Sequence, residues 1–328
     1  MSMINRVLIV DVSHIAHNFA HVPAQLSSAV MNNGEQVTVN TTIQTGIIKN
    51  ITRWSQHGNI PTLVCFDRPC RPRKDYFREL FRSQGKSDEY KGGRAKSSGP
   101  LLQALNMTEY LLRDGGVACA AQEGYEADDL VKAGVDLAKK EYPDCYIDVV
   151  TNDTDLVPLV DEQVSVFLRS QKGTWAEDAS IEKNKYIQIT PYNYSEVLGQ
   201  RSDYKSMRIP WNTLLFVKML RGDTSDNIPG FKRNFPPRKV QVMLDALEDN
   251  DINVVYDYHF EDTLCDLLLN VAGIDSDMVP ILLDIYRGMN LNGELPGRLP
   301  AIYSKPFTGF DTVKLQQAVS PLKIRIPT

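Results

Sequence analysis

Gly124-Tyr125-Glu126-Ala127-Asp128-Asp129-Leu130 sets three carboxylates within four residues, and the apolar residues that follow mark it as a helix start. A helix N-terminus tolerates acids, because its N–H groups and dipole favour negative charge. Three acids exceed what capping needs, and carboxylates this close repel one another unless a cation sits among them. A bound divalent metal is the usual remedy. The plainer alternative is an acidic first turn on a solvated surface. The heptapeptide alone leaves both open.

The chain on either side narrows the choice. Val7-Leu8-Ile9-Val10 is a short apolar run that predicts a buried strand ending at Asp11. Thr62-Leu63-Val64-Cys65-Phe66 predicts a second, ending at Asp67. Tyr146 to Val150 predicts a third, running into Thr151-Asn152-Asp153-Thr154-Asp155. Shorter strands are expected at 116–121 and 164–168, and helices at 13–30, 41–56, 101–113 and 126–141. Strands alternating with helices indicate an α/β domain with a mainly parallel central sheet flanked by helices. Such sheets place ligand sites just past the C-terminal ends of their strands, where Asp11, Asp67, Asp153 and Asp155 fall. In an extended segment Asp153 and Asp155 share a face and aim at one point. Each acid alone reads as a strand-end turn former, but that explanation must then hold several times independently.

At 328 residues the chain can bury a sizeable core, as two domains or one elaborated one. A hydrophobic content of 42% and a charged content of 23% are those of a globular protein. No basic segment precedes an apolar run at the N-terminus, so a signal peptide is not expected, and no apolar run approaches membrane-spanning length. The five cysteines (Cys65, Cys70, Cys119, Cys145 and Cys265) are scattered and form no CxxC pair. That usage predicts a reduced, cytoplasmic protein rather than a zinc site.

A formal net charge of −5 argues against a polyanionic partner only on average. Residues 68–96 carry ten Lys/Arg against four Asp/Glu. Within 68–99, Arg68, Arg71, Arg73, Lys74, Arg78, Arg82, Lys86, Lys91, Arg94 and Lys96 interleave with Tyr76, Phe77, Phe81 and Tyr90. Basic groups contact phosphates and aromatic rings stack on unpaired bases, so this composition suits single-stranded nucleic acid. A solvated surface excursion is the plainer alternative. Further on, Trp211 to Arg221 patterns as a helix ending at Gly222, and the turn-rich Gly222-Asp223-Thr224-Ser225-Asp226-Asn227-Ile228-Pro229-Gly230 brings two more acids. A second helix follows from Pro237 to 248, bordered by Lys232, Arg233, Arg238 and Lys239. A last helix is expected at 277–288.

In this order the motifs resemble the 5′-nuclease family: flap endonucleases, the 5′→3′ exonuclease domain of bacterial DNA polymerase I and, most of all, the stand-alone bacteriophage RNase H group. The pieces are Val10-Asp11, Cys65-Phe66-Asp67, Tyr90-Lys91-Gly92-Gly93-Arg94, Tyr125 to Asp129, Asn152 to Asp155, and Gly222-Asp223 through Asp226-Asn227-Ile228-Pro229-Gly230. They span roughly residues 6–248. The resemblance implies a PIN-like nuclease core over 1–200 with a helical arch at 68–99. It also implies a mainly helical region over 201–328, with a helix–three-turn–helix DNA-binding module at 211–248 and a C-terminal extension. It implies two Mg²⁺ ions, replaceable by Mn²⁺, held by Asp11, Asp67, Glu126, Asp128, Asp129, Asp153, Asp155, Asp223 and Asp226. Setting those nine acids aside turns the net charge of −5 to about +4. Asp11, Asp67 and Asp153, with Lys91 and Arg94 at the scissile phosphate, would carry catalysis. Arg68, Arg71, Arg73, Tyr76, Tyr90, Lys232, Arg233, Arg238 and Lys239 would contact DNA. The implied substrates are 5′ ends, flaps or RNA–DNA hybrids, in replication or repair, with a single-strand-binding protein as a possible partner and no membrane.

One departure stands out. Where the family carries a glycine hairpin that binds a monovalent cation, this chain reads Phe231-Lys232-Arg233-Asn234-Phe235. Two rival readings remain. His14, His17 and His21 lie at i, i+3 and i+7, a spacing that would put them on one helical face for zinc, without a fourth ligand nearby. A nucleic-acid-binding relative without catalysis would be expected to have lost carboxylates, and none of the nine is missing.

Overall fold

A computed structural model describes residues 4–20, 27–32, 35–85, 90–92, 99–169, 186–205, 207–211, 213–223, 226–231, 235–249, 265–271, 273–291 and 307–327. The chain forms two compact, discontinuous units: 1–69, 96–188 and 301–328 make the first, and 70–95 with 189–300 the second. Residues 307–327, placed with the helical region by the sequence, thus belong to the first unit.

The first unit is built on a six-stranded sheet. Its strands are β1 (Arg6–Asp11), β4 (Thr62–Cys65), β5 (Ala118–Ala120), β6 (Tyr146–Thr151), β7 (Val164–Arg169) and β8 (Tyr186–Ile189), in the order β5-β4-β1-β6-β7-β8. The β5–β4, β4–β1, β1–β6 and β6–β7 pairs are all parallel. Val7 to Val10 are almost wholly buried, as a parallel strand covered on both faces requires. Helices α1 (Val12–Ala20), α2 (Thr42–Trp54), α4 (Gly99–Asp114) and α5 (Ala127–Glu141) supply the crossovers. From β1 the chain builds outward to β4 and β5, then returns beside β1 as β6 and builds the other way. The β1–β6 junction is therefore the topological switch point, where sheets of this kind bind ligands. Asp11 ends one strand of that junction and Thr151 the other.

The apolar core joins Leu8, Val10 and Val64 of the sheet to Ile47, Ile48, Ile51 and Trp54 of α2. Leu315 and Val319 of the last helix (Thr312–Val319) complete it. The returning C-terminal segment is tied in by the Phe310 N–H, which donates to the Gly58 carbonyl at 3.0 Å. A side chain at Gly58 would collide with the Phe310 backbone.

The helix expected at 13–30 is cut short. It ends at Ala20, and β2 (Ser27–Asn32) pairs with β3 (Glu35–Asn40) as a separate antiparallel hairpin. Pro23 cannot continue a helix, and Asn33-Gly34 between the strands is the dipeptide of tight hairpins. The side chains of His14, His17 and His21 lie outside the described residues. Among the described residues no helix is long and apolar enough to cross a membrane.

The second unit contains α3 (Arg71–Ser83), α6 (Tyr194–Gly199), α7 (Leu214–Arg221), a two-residue hairpin of β9 (Gly222–Asp223) and β10 (Ile228–Pro229), α8 (Pro237–Asp249) and α9 (Val279–Met289). Gly222 has φ +80°, a conformation that disfavours side chains, and a Cβ there would lie 2.5 Å from the Gly230 nitrogen. The hairpin closes because both positions are glycine.

Asp148 is a carboxylate inside the sheet, buried in β6, with Arg6 Nε 3.2 Å from its Oδ2. Burial raises its pKa to about 6, with Arg6 opposing. The folded protein holds this proton more tightly than the unfolded chain. The resulting stability is present below the ordinary value of 3.8 and lost as pH rises through about 6. Asp148→Asn should therefore match wild type in stability near pH 4 and exceed it near pH 8, by up to ~3 kcal/mol, as read from thermal melts across that range.

Candidate metal centre

The acidic turn that opens α5 divides its carboxylates between two tasks. Glu126 is the N-cap and forms a capping box with Asp129: the Glu126 N–H donates to Asp129 Oδ2 at 2.9 Å, and the Glu126 side chain accepts from the Asp129 N–H. Asp67, arriving from the end of β4, accepts from the Ala127 N–H at 2.7 Å. The Asp67 N–H in turn donates to Ser13 Oγ at 3.0 Å. Three acids therefore sit on one helix N-terminus, where N–H groups and dipole stabilise their charge. Capping, on a buried rather than a solvated turn, thus accounts for Glu126 and Asp129.

It does not account for Asp128. One carboxylate oxygen each from Asp128, Asp153 and Asp155 lie within 4.8 Å of one another. Asp153 is the extended N-cap of a short 3-10 helix, Thr154–Leu159, and its Oδ1 accepts from the Asp155 N–H at 2.9 Å. The extended segment expected at Asp153 and Asp155 is not what forms. They converge instead because the chain turns at Asp153, bringing Asp155 round in the first turn of that helix.

Thr151 joins this cluster to Asp11. A carboxylate only accepts, so the Thr151 hydroxyl donates to Asp11 Oδ2 at 2.8 Å, while its oxygen accepts from the Asp153 N–H at 2.9 Å. Both Asp11 and Thr151 are fully buried. Cys65, paired in register with Asp11, reports the same crowding: its thiol pKa is pushed well up, by burial first and then by Asp11, Cys119, Asp128 and Asp67. The cluster itself offers carboxylate oxygens alone. Clustered carboxylate oxygens without nitrogen or sulfur suit hard divalent cations such as Mg²⁺ or Mn²⁺.

In the second unit Asp223 and Asp226 are met by cations of the chain. Lys218 Nζ lies 2.7 Å from Asp223 Oδ2, both groups buried. Asp226 Oδ2 accepts from the Tyr90 hydroxyl at 3.0 Å and lies 3.7 Å from Lys91 Nζ. The Lys91 N–H donates to the Asp226 carbonyl at 2.8 Å, with Lys91 at φ +56°. The Tyr90 ring stacks on Phe77, centroids 4.7 Å apart.

The remaining expected contacts fall on several elements, and some of them outside the described residues. Arg68 belongs to the first unit and is ion-paired with Glu109. Arg71 is exposed on α3, Arg73 is buried, and the Tyr76 hydroxyl donates to the Asp284 carbonyl at 2.9 Å. Arg238 and Lys239 are exposed in the first turn of α8. Arg94, Lys232 and Arg233 lie outside the described residues. Where the glycine hairpin is missing, the Phe231 and Phe235 rings meet edge to face at 5.6 Å. Thr151 and Lys218 went unread in the sequence. A strand-end threonine and a helical lysine carry no signal until their partners are known.

A doubly wound sheet with carboxylates converging at its switch point is the frame of an α/β protein equipped to hold a divalent cation. Residues 6–186, more than half of the chain, match the family model described as the 5′-3′ exonuclease, N-terminal resolvase-like domain, and the chain belongs to that family. A 5′-3′ exonuclease of Bacillus subtilis is 30% identical over 159 residues, 48% of this chain and 44% of that protein. DNA polymerase I of Deinococcus radiodurans is 28% identical over 188 residues, 57% of this chain and 16% of that protein. The chain thus matches less than half the length of these curated relatives. Among solved structures, bacteriophage T5 D15 protein co-crystallised with metal ions has a TM-score of 0.59 at 14% identity, over 88% of this chain and 90% of that one. The T5 5′-exonuclease with bound zinc has a TM-score of 0.55 at 13% identity, over 98% and 99%. At such identities the likeness is one of fold.

Thr151→Val keeps the shape but removes the donor to Asp11 and the acceptor for the Asp153 N–H. It is expected to weaken Mn²⁺ binding about 10–100-fold in a titration followed by electron paramagnetic resonance, with Thr151→Ser close to wild type.

Proposed function

We propose that the protein is a divalent-metal-dependent 5′ nuclease that hydrolyses phosphodiester bonds near the 5′ ends of DNA, flaps included. The observation that carries this reading is the convergence of Asp128, Asp153 and Asp155, tied through Thr151 to Asp11 at the switch point of the sheet. Membership of the 5′-3′ exonuclease family supports it. Asp11, Asp67, Glu126, Asp128, Asp129, Asp153 and Asp155 are the first unit's candidate ligands for Mg²⁺, and Asp223 and Asp226 those of the second. When bound, paired divalent ions lower the pKa of water and stabilise the leaving oxygen of an in-line displacement.

The chain's own residues supply the rest. Lys91, and by the sequence motif Arg94, bring positive charge to the phosphate undergoing attack. Arg238 and Lys239, exposed at the start of α8, grip duplex backbone without reading sequence. The exposed Arg71 adds to that basic surface. RNA–DNA hybrids are a second substrate class on this reading, because backbone contacts do not require a deoxyribose.

Asp153→Asn should abolish single-turnover cleavage of a labelled 5′ flap while leaving DNA affinity nearly intact, since affinity comes largely from Lys/Arg contacts to phosphate. Exhaustive chelation should have the same effect, reversed by Mg²⁺ or Mn²⁺. Residual metal-free cleavage would contradict the reading. Lys91→Ala is expected to slow the single-turnover step about 10²–10³-fold with little change in duplex binding. A loss confined to affinity would return Lys91 to the general basic surface.

A further inference from the structure

Helix α9 lies outside the residues that match the family model, yet it braces α3 at two points within the second unit. The Tyr76 hydroxyl donates to the Asp284 carbonyl at 2.9 Å. Burial first, and Asp284 second, push that hydroxyl's pKa up to about 12, so it remains a donor at any working pH. One turn further along α9, Gly288 leaves a notch for the neighbouring rings. A Cβ at that position would lie 2.6 Å from Phe77 Cζ and 2.8 Å from Tyr76 Cε1, too close for either ring to stay where it is.

What Phe77 touches gives this contact a further reach. Its fully buried ring is stacked on Tyr90, with centroids 4.7 Å apart and planes 19° from parallel. Tyr90 in turn donates to Asp226 Oδ2 at 3.0 Å, and the next residue, Lys91, is held at φ +56° by its N–H bond to the Asp226 carbonyl. A non-glycine residue keeps a left-handed conformation only where its surroundings impose it. The path from α9 to Lys91 is therefore continuous: Gly288 to Phe77 by packing, Phe77 to Tyr90 by stacking, and Tyr90 and Lys91 to Asp226 by hydrogen bonds.

We propose that α9 is the positioning element for Lys91, with Gly288 the residue through which it acts. The glycine seats α3 at the depth that lays Phe77 flat on Tyr90, and so sets the Tyr90-Lys91 pair against Asp226. This inference rests on the nuclease reading for the role of Lys91, but not for the geometry. Gly288 acts as a positioning residue, through Tyr76 and Phe77.

The test uses the full-length chain labelled with 3-fluorotyrosine, the Tyr90 signal being assigned by its loss in Tyr90→Phe. Gly288→Ala should shift the Tyr90 fluorine resonance and slow single-turnover flap cleavage about 10–100-fold, with flap affinity changed by no more than about twofold. Combined with Lys91→Ala it should be no slower than Lys91→Ala alone, because both act on one group. Tyr76→Phe, which removes only the bond to Asp284, serves if the alanine variant does not fold, and should move the same signal and rate in the same direction by a smaller amount. An unmoved Tyr90 resonance, an unchanged cleavage rate, or losses that multiply in the double variant would each overturn the proposal. If wild-type protein does not cleave the flap at all, the nuclease reading falls, and the Tyr90 resonance alone decides whether α9 sets this pair.

Discussion

Negative charge concentrated at the open end of a parallel sheet is the constraint to which the first unit answers. Carboxylates that approach one another inside a protein raise each other's proton affinity unless donors or cations hold them ionised. Here the donors are built into the backbone. The N–H groups of Glu126 and Ala127 meet Asp129 and Asp67 at the start of α5, and the Asp155 N–H meets Asp153. Thr151 completes the arrangement with a hydroxyl that donates a hydrogen bond to the buried Asp11 carboxylate and accepts one from the Asp153 N–H. The strand order, the entry of α5 and the sharp turn after β6 all serve to deliver these donors to these acids.

The second unit meets the same difficulty by another route. Asp223 and Asp226 face ammonium groups and a phenol rather than a helix terminus. A buried pair such as Lys218–Asp223 contributes little net stability, but losing either partner leaves an uncompensated charge and costs far more. The pair therefore acts as a constraint on the β9–β10 turn, together with the two glycines that let its strands close.

Much of this was legible in the sequence, for reasons that can be stated. Buried parallel strands have to be continuous apolar runs, so β1, β4 and β6 announced themselves, and the acids at their ends followed from where such strands stop. The opening of α5 was legible because acids, a cap and an apolar stripe coincide there. What escaped depends on partners distant in sequence. Thr151 looks like any strand-end threonine until Asp11, 140 residues away, comes beside it. The start of β2 falls within the helix expected at 13–30, because that pattern runs on past Pro23, and β3 falls between the expected helices. The membership of 307–327 in the first unit rests on contacts such as Phe310 with Gly58, which no local pattern encodes.

That last contact bears on how the protein is made. Leu315, Val319, Leu322 and Ile324 lie in the same core as Leu8 and Ile48, so the first unit lacks part of its interior until the ribosome has synthesised the whole of the second. Its sheet can pair early, but the part of the core that these four side chains fill stays empty through that interval. The last helix works as a late-arriving lock, and the nascent chain keeps its core incomplete until the lock is released from the exit tunnel.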